Sequence, residues 1–319
     1  MIRLLKLSEL ERPKWEKLLA AAPSATFFHT AEWAQLWEES YSFFKSCFLV
    51  DVAPDGSYRA GLPFVRARKG LDNYYSMPMG SYGGVISTES GLEGALYTEW
   101  LKLARHPRTE RLMVSAEQET PALVALGFSS KTNFTHSLIL TPDYGAQLSR
   151  SARKDIEHAR QAGFFLDRLE NKETLAEFFA FSGRRAEKDF YTKRFFENLF
   201  AILIPSKRAA WFCARKNGVL AAYQICFLFK DKIVFWDTGF DPRFSEDRPG
   251  YFLMDGILSW ALENGFKEAG FGQTPEGAKG ALEFKERMGG EKKTVFEYGH
   301  ASPLKRKLRS AFEKVRGRK

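Results

Sequence analysis

Residues Gly239–Gly290 read GFDPRFSEDRPGYFLMDGILSWALENGFKEAGFGQTPEGAKGALEFKERMGG. The turn-forming residues at the start open a loop. A long apolar-periodic helix follows, around Gly250–Asn264, then a short strand KEAGFG, a glycine-rich loop and a second helix, Lys279–Met288, carrying Phe284-Lys285. A helix joining two strands is long enough to lay them parallel, and a lysine on the second helix can face the place where such a sheet splays open.

Working outward, the same order of elements occurs twice. In the first half, helical segments near Leu7–Ala20 and Thr30–Glu39 precede the strand-like runs CFLVDV and RAGLPFVRAR. A loop with MPMGSYGGVI follows, then a helix around Leu92–Ala104, a strand RLMVS, a short helix PALVALG and a strand FTHSLIL. In the second half, helices around Leu148–Ala162, Glu173–Lys188 and Thr192–Leu203 precede the strands AAWFCARKNG, VLAAYQICFLF and KIVFWDTGF; the opening stretch and a last strand, TVFEYGH, complete it. Helices, an antiparallel meander, a crossover helix, a strand, a helix and a strand describe both halves. The pattern predicts an α/β (α+β) protein of two tandem domains, each a mixed, mostly antiparallel sheet flanked by helices. The boundary falls near Thr141-Pro142-Asp143, giving domains over 1–142 and 143–303. Trp33 and Trp37, four apart, read as core packing.

Composition agrees with two cores. The chain has 319 residues, 44% apolar and 27% charged, which is too apolar and too long for a disordered chain or a single small domain. It contains no apolar run of the length that spans a bilayer, and Lys6, Glu9, Glu11 and Arg12 interrupt the N-terminal apolar stretch, so no signal-peptide core is expected. Cys47, Cys213 and Cys226 lack metal-ligand spacing and read as small hydrophobes. The five histidines are scattered, which predicts no protein metal site, and no Gly-x-Ser-x-Gly elbow or dinucleotide fingerprint occurs. A cytoplasmic protein is the expectation, possible also at the inner face of a membrane.

The net charge of +9 is concentrated at one end. Residues 304–319, LKRKLRSAFEKVRGRK, hold eight basic and one acidic residue, a balance of +7 that leaves +2 for the rest. Leu304, Leu308, Phe312 and Val315 recur at helical spacing, so this tail reads as a basic amphipathic helix. Peripheral contact with an anionic membrane, contact with a nucleic-acid backbone such as tRNA, and docking on the protein body all fit it.

Three passages carry a family resemblance: FHTAEWAQLW, LSRSARKDIEHARQAGF and the stretch ending in ALEFKERMGG. With the element order they resemble tandem GNAT-type domains of the FemAB-like amino-acyl and acyl transferases. The resemblance implies transfer of an aminoacyl or acyl group to an amine of a cell-envelope precursor or saccharide-linked acceptor. Aminoacyl-tRNA or acyl-CoA would be the co-substrate donor, with no tightly bound cofactor. An acyl-CoA or acyl-carrier-protein dependent N-acyltransferase of polysaccharide or lipid assembly is the alternative, and a non-enzymatic RNA- or membrane-binding module is another.

Attack of an amine on an ester or thioester builds an oxyanion, which a fixed cation stabilises. The resemblance places a functional lysine at Phe284-Lys285, so Lys285 is the candidate for that role, with Phe284 anchoring the helix; a solvated lysine is the plainer reading. Asp237, after Trp236 near a strand end, can orient or deprotonate the acceptor amine, or cap the next turn. Arg153 on a basic helix, and Arg184 and Arg185 before Tyr191, suit phosphate or carboxylate recognition. Gln273 reads as a hydrogen-bonding residue of an active-site turn. Gly250 and Tyr251 stand where a donor loop would lie. There, however, Asp247 replaces the usual basic or amide residue, Phe252 the second small residue, and Pro249 removes an N–H, which argues against ordinary acyl-CoA binding.

Overall fold

The computed structural model describes residues 1–106, 108–182, 191–274 and 277–301. The chain forms two compact units, Met1–Asn133 with the segment from Thr294 onward, and Phe134–Lys293. The sequence reading divides it at 142/143. The structural division falls at 133/134 and again at 293/294, because two strands run across it.

In the first unit β1 (Ile2–Lys6) precedes α1 (Arg12–Ala21) and α2 (Ala31–Ser40). The meander β2 (Phe44–Val52), β3 (Tyr58–Lys69) and β4 (Leu71–Ser76) follows, with β5 (Ile86–Ser87) beside β3, then α3 (Glu93–Lys102), β6 (Thr109–Ala116), α4 (Pro121–Ala125) and β7 (Ser129–Ile139). The second unit contains α5 (Arg150–Gln161), β8 (Phe165–Arg168), α6 (Lys172–Ser182), α7 (Lys193–Leu203) and the meander β9 (Ala209–Lys216), β10 (Val219–Phe229) and β11 (Lys232–Phe240). It ends with α8 (Pro249–Glu263), β12 (Glu268–Gln273), α9 (Lys279–Arg287) and the start of β13 (Glu291–Ala301).

Both sheets have one plan. In the first unit the strand order is β1-β2-β3-β4-β6-β13, and in the second β8-β9-β10-β11-β12-β7. An edge strand and a three-stranded antiparallel meander are joined by a crossover helix to a parallel strand, β6 beside β4 and β12 beside β11. The sixth strand is antiparallel and comes from the other half of the sequence: Phe296–Ala301 of β13 pair with β6, and Thr135–Ile139 of β7 pair with β12. The mixed, mostly antiparallel α/β plan read from the sequence is the fold observed.

The differences lie at the edges. The first helix begins at Arg12 rather than Leu7, because residues 2–6 form β1 against β2. Leu4 is 54% exposed there, so no alternation betrays an edge strand. β4, LDNYYS, is held by two neighbours despite the strand-averse Asp72 and Asn73.

Each unit has its own core. Trp15, Trp33, Trp37 and Trp100 are fully buried in the first, and the Trp33 and Trp37 rings meet edge-on at 5.5 Å, as the packing reading expects. In the second, Leu138, Leu140, Ile156, Phe212, Leu253, Ile257, Phe271 and Met288 form one cluster under α5 and α8. Cys213 and Cys226 are buried, and burial pushes the Cys213 thiol up to about 12. No described helix is long and apolar enough to cross a membrane. The basic tail at 304–319 lies outside the described residues.

Candidate functional site

The second unit contains an opening that the first lacks. β11 and β12 pair in parallel over only three positions, Lys232 to Val234 against Glu268 to Gly270, after which their ladder stops although both strands continue. In the first unit β4 and β6 stay paired up to Ser76 with Val114. Behind them the loop returns so closely that a Cβ on Gly83 would lie 1.9 Å from Ser76 O, while Gly83 N donates to Ser115 O at 2.6 Å. Backbone fills that space. The second unit is therefore the one whose parallel ladder is left open.

Lys285 sits at the end of β12, beside this opening. α9 is anchored by Phe284, whose ring meets Tyr251 edge-on at 4.9 Å, and by fully buried Met288. Lys285 points elsewhere, and its Nζ donates to Gly272 O at 2.9 Å, Gln273 O at 3.2 Å and Thr274 Oγ1 at 3.0 Å. Two consecutive carbonyls of a regular strand point opposite ways, but Gly272 has φ +67°, which turns them toward one ammonium. A Cβ there would come within 3.0 Å of Phe235 O, so glycine also meets a steric demand. All three ammonium protons are engaged, and the reading of Lys285 as a solvated lysine does not hold. Burial pushes its pKa down to about 8, leaving it mostly an ammonium at neutral pH.

The opposite wall is β11. Its pairing with β10 slips between Ile225–Asp237 and Cys226–Phe235, so Trp236 is the extra residue of a β-bulge. The Trp236 ring packs against Tyr191 at 4.8 Å, Phe227 at 5.1 Å and Phe195 at 5.8 Å. Asp237 accepts a hydrogen bond from Tyr223 Oη at 2.7 Å. The cap of the turn after β11 is Asp241, whose side chain accepts from Arg243 N, so Asp237 does not serve that purpose.

The other predicted residues scatter. Arg153 donates to Leu148 O at 2.7 Å and Gly145 O at 3.2 Å, tying down the loop before its own helix. Arg184 and Arg185 lie outside the described residues. At the start of α8, Gly250 borders open space, while the Tyr251 ring is buried beneath the Arg287 guanidinium, 5.2 Å away. The charges nearby are paired within the protein: Asp247 with Lys216 at 2.7 Å, and Asp155 with both Arg287 and, at 3.6 Å, Arg248. Pro249 contributes no N–H, and those of Tyr251 and Phe252 bond Arg248 O. Little remains there to receive a pyrophosphate.

Two further polar groups lie on β7 and β12: His136, which the sequence reading did not single out, and Gln273, which it placed on an active-site turn. His136 on β7 is 1% exposed, and neither ring nitrogen has a hydrogen-bond partner among the described residues. Gln273 Nε2 is likewise buried and unpartnered among them. The available signal was phase: His136 stands in step with Leu138 and Leu140 of FTHSLIL, at a position otherwise apolar. No cluster of three or more His, Cys, Asp or Glu able to hold a metal occurs among the described residues.

Residues 146–286 match the model of the acetyltransferase (GNAT) domain family. That stretch contains the splayed strands and Lys285. Among solved structures, the chain is similar to FemX, at 14% identity and TM-score 0.74, covering 95% of this chain and 98% of that one. It is also similar to L-PGS from Bacillus licheniformis (12% identity, TM-score 0.58, 90% and 91% covered) and to a tandem GNAT protein from the clavulanic acid biosynthesis pathway (12%, 0.54, 95% and 99%). These likenesses concern the fold. No curated protein matches by sequence.

Proposed function

We propose that the chain is an acyltransferase of the FemAB-like GNAT type, moving an aminoacyl or acyl group from an ester or thioester donor onto an amine of a cell-envelope precursor or saccharide-linked acceptor. The observation that carries this reading is the Lys285 ammonium held at the diverging ends of β11 and β12. An acyl group lying in that opening presents its carbonyl to the lysine. When the amine attacks, charge grows on the carbonyl oxygen, and Lys285 exchanges its Thr274 hydroxyl for the oxyanion while keeping the two backbone carbonyls. A donor so placed contributes on the order of 10²–10³ in rate. Asp237, oriented by Tyr223, is the candidate for holding the acceptor amine.

Aminoacyl-tRNA is favoured as donor over acyl-CoA, because the charged groups at the start of α8 are already paired with one another. The match of residues 146–286 to the GNAT domain family supports the second reading, an acyl-CoA or acyl-carrier-protein dependent N-acyltransferase. Incubating the full chain with labelled aminoacyl-tRNA and labelled acyl-CoA pools, with and without amine acceptors, decides between them. Transfer that Lys285→Ala abolishes is the expected result. Turnover unchanged in that variant removes Lys285 from the reaction.

A further inference from the structure

We propose that Thr274 is the acid of the reaction: its hydroxyl protonates the leaving oxygen of an oxyester donor and is resupplied by the Lys285 ammonium. The proposal rests on the reading of Lys285 given above and adds to it the fate of the bond that breaks.

The contacts of Lys285 single out Thr274. Two of the three acceptors around Nζ, Gly272 O and Gln273 O, are backbone carbonyls, which accept hydrogen bonds and have no proton to give. The third, Thr274 Oγ1 at 3.0 Å, belongs to a hydroxyl, at once acceptor and donor. It accepts from the ammonium, and no acceptor for its own proton occurs among the described residues. Accepting from a cation makes that O–H the stronger donor, since hydrogen bonds in a chain polarise one another. Thr274 directly follows β12, past the last pair of the ladder between β11 and β12, so the polarised hydroxyl stands at the same opening as Lys285. The residue is half-buried, which leaves it within reach of a ligand.

The tetrahedral intermediate fits this pair. Its carbon carries two neighbouring oxygens, the former carbonyl oxygen and that of the donor alcohol, as Nζ and Oγ1 are neighbours. While the intermediate lasts, the third ammonium proton serves the oxyanion. On collapse the oxyanion becomes a carbonyl again, and that proton turns back to Thr274. The bond from the acyl carbon to the donor oxygen breaks, its electron pair stays on the oxygen, and the oxygen takes the Thr274 proton. Thr274 takes one from Lys285, and the proton shed by the acylated nitrogen restores the ammonium through solvent. Lys285, which burial lowers to about 8, gives up and regains a proton readily near neutral pH. The class of donor follows. A thiol with a pKa of about 8.5 leaves readily as its anion, whereas an alcohol, nearer the roughly 15.7 of water, needs a proton. A relay here suits an ester of an alcohol, as in aminoacyl-tRNA, rather than a thioester.

The test uses the full chain and two labelled aminoacyl-tRNA donors that differ in one atom, the natural ester and an analogue with sulfur in place of the alcohol oxygen. Thr274→Val is expected to lower kcat about 10²-fold with the oxygen donor and less than about tenfold with the sulfur donor. Thr274→Ser, which keeps the hydroxyl, stays close to the wild type on both. Lys285→Ala loses transfer from both, because the oxyanion forms in either case. Equal losses from the two donors in Thr274→Val would make Thr274 only a prop for Lys285 and overturn the proposal. Full activity of Thr274→Val with the oxygen donor would overturn it and leave the reading of Lys285 standing, as would transfer by the wild type from acyl-CoA alone. Absence of transfer by the wild type from any donor would remove both.

Discussion

The positive φ of Gly272 and the ammonium of Lys285 are one device, since the twist at Gly272 aims two successive carbonyls at Nζ, its own at 2.9 Å. A side chain at 272 would meet Phe235 O at 3.0 Å and adopt a backbone conformation that costs about 1–2 kcal/mol for a non-glycine residue. Gly272→Ala is therefore expected to lower unfolding stability by at least that much in a urea titration and to reduce transfer more than ten-fold, on the order of an oxyanion donor lost. A stable, fully active variant would show that the twist is dispensable.

Lys285 makes the activity pH-dependent. If the ammonium binds the oxyanion, transfer falls as pH rises through about 8, and Lys285→Arg, which keeps its charge, loses that limb. A rate rising through the same value would instead make the lysine a base. Initial rates between pH 6 and 9.5, on the order of one point per half unit, separate the two.

Stability carries the opposite sign. The folded value of about 8 lies below the ordinary 10.5, so between them the unfolded chain binds the proton more tightly. Stability rises with pH across that window, and the cost of the buried charge is fully present below it. Denaturation midpoints of wild type and Lys285→Met should converge toward pH 10 if burial is the cause.

Asp155 joins Arg248 and Arg287 beside the start of α8. Asp155→Asn frees two guanidiniums there and is expected to raise affinity for CoA by about tenfold at low salt, an effect that shrinks as salt screens it. Calorimetry at two ionic strengths reads it out. No gain would mean that the helix start is closed for reasons other than charge pairing.

Asp237→Asn keeps an acceptor for the Tyr223 hydroxyl, so stability should move by less than about 1 kcal/mol. A fall in kcat of about 10² or more supports Asp237 at the amine; unchanged kinetics removes it.

Much of this site was legible because its residues break local patterns. Phe284 and Lys285 diverge as adjacent helical positions must, and Trp236 and Asp237, read as near a strand end, lie at a bulge within β11. The departures read there, Asp247, Pro249 and Phe252, fall on a segment whose charges are paired within the protein. What stayed hidden depends on pairing. The ladder between β11 and β12 stops through register, and His136 comes beside β12 only because β7 returns as its antiparallel neighbour. Arg153 looked like a phosphate ligand, yet carbonyls of the preceding loop capture it, a local geometry that charge pattern does not encode.

The exchange of sixth strands governs how the molecule is made. β6 leaves the ribosome before its antiparallel neighbour β13, with most of the second unit synthesised between them, so the first sheet cannot be completed until the second unit has been made. Until then a strand edge stays open to wrong partners. A gene cut at the midpoint between the two repeats would yield two fragments, each lacking one strand of its own sheet and carrying one strand of the other. Co-expressed fragments could rebuild the protein only by trading those strands. Neither half of the sequence holds all six strands of a sheet.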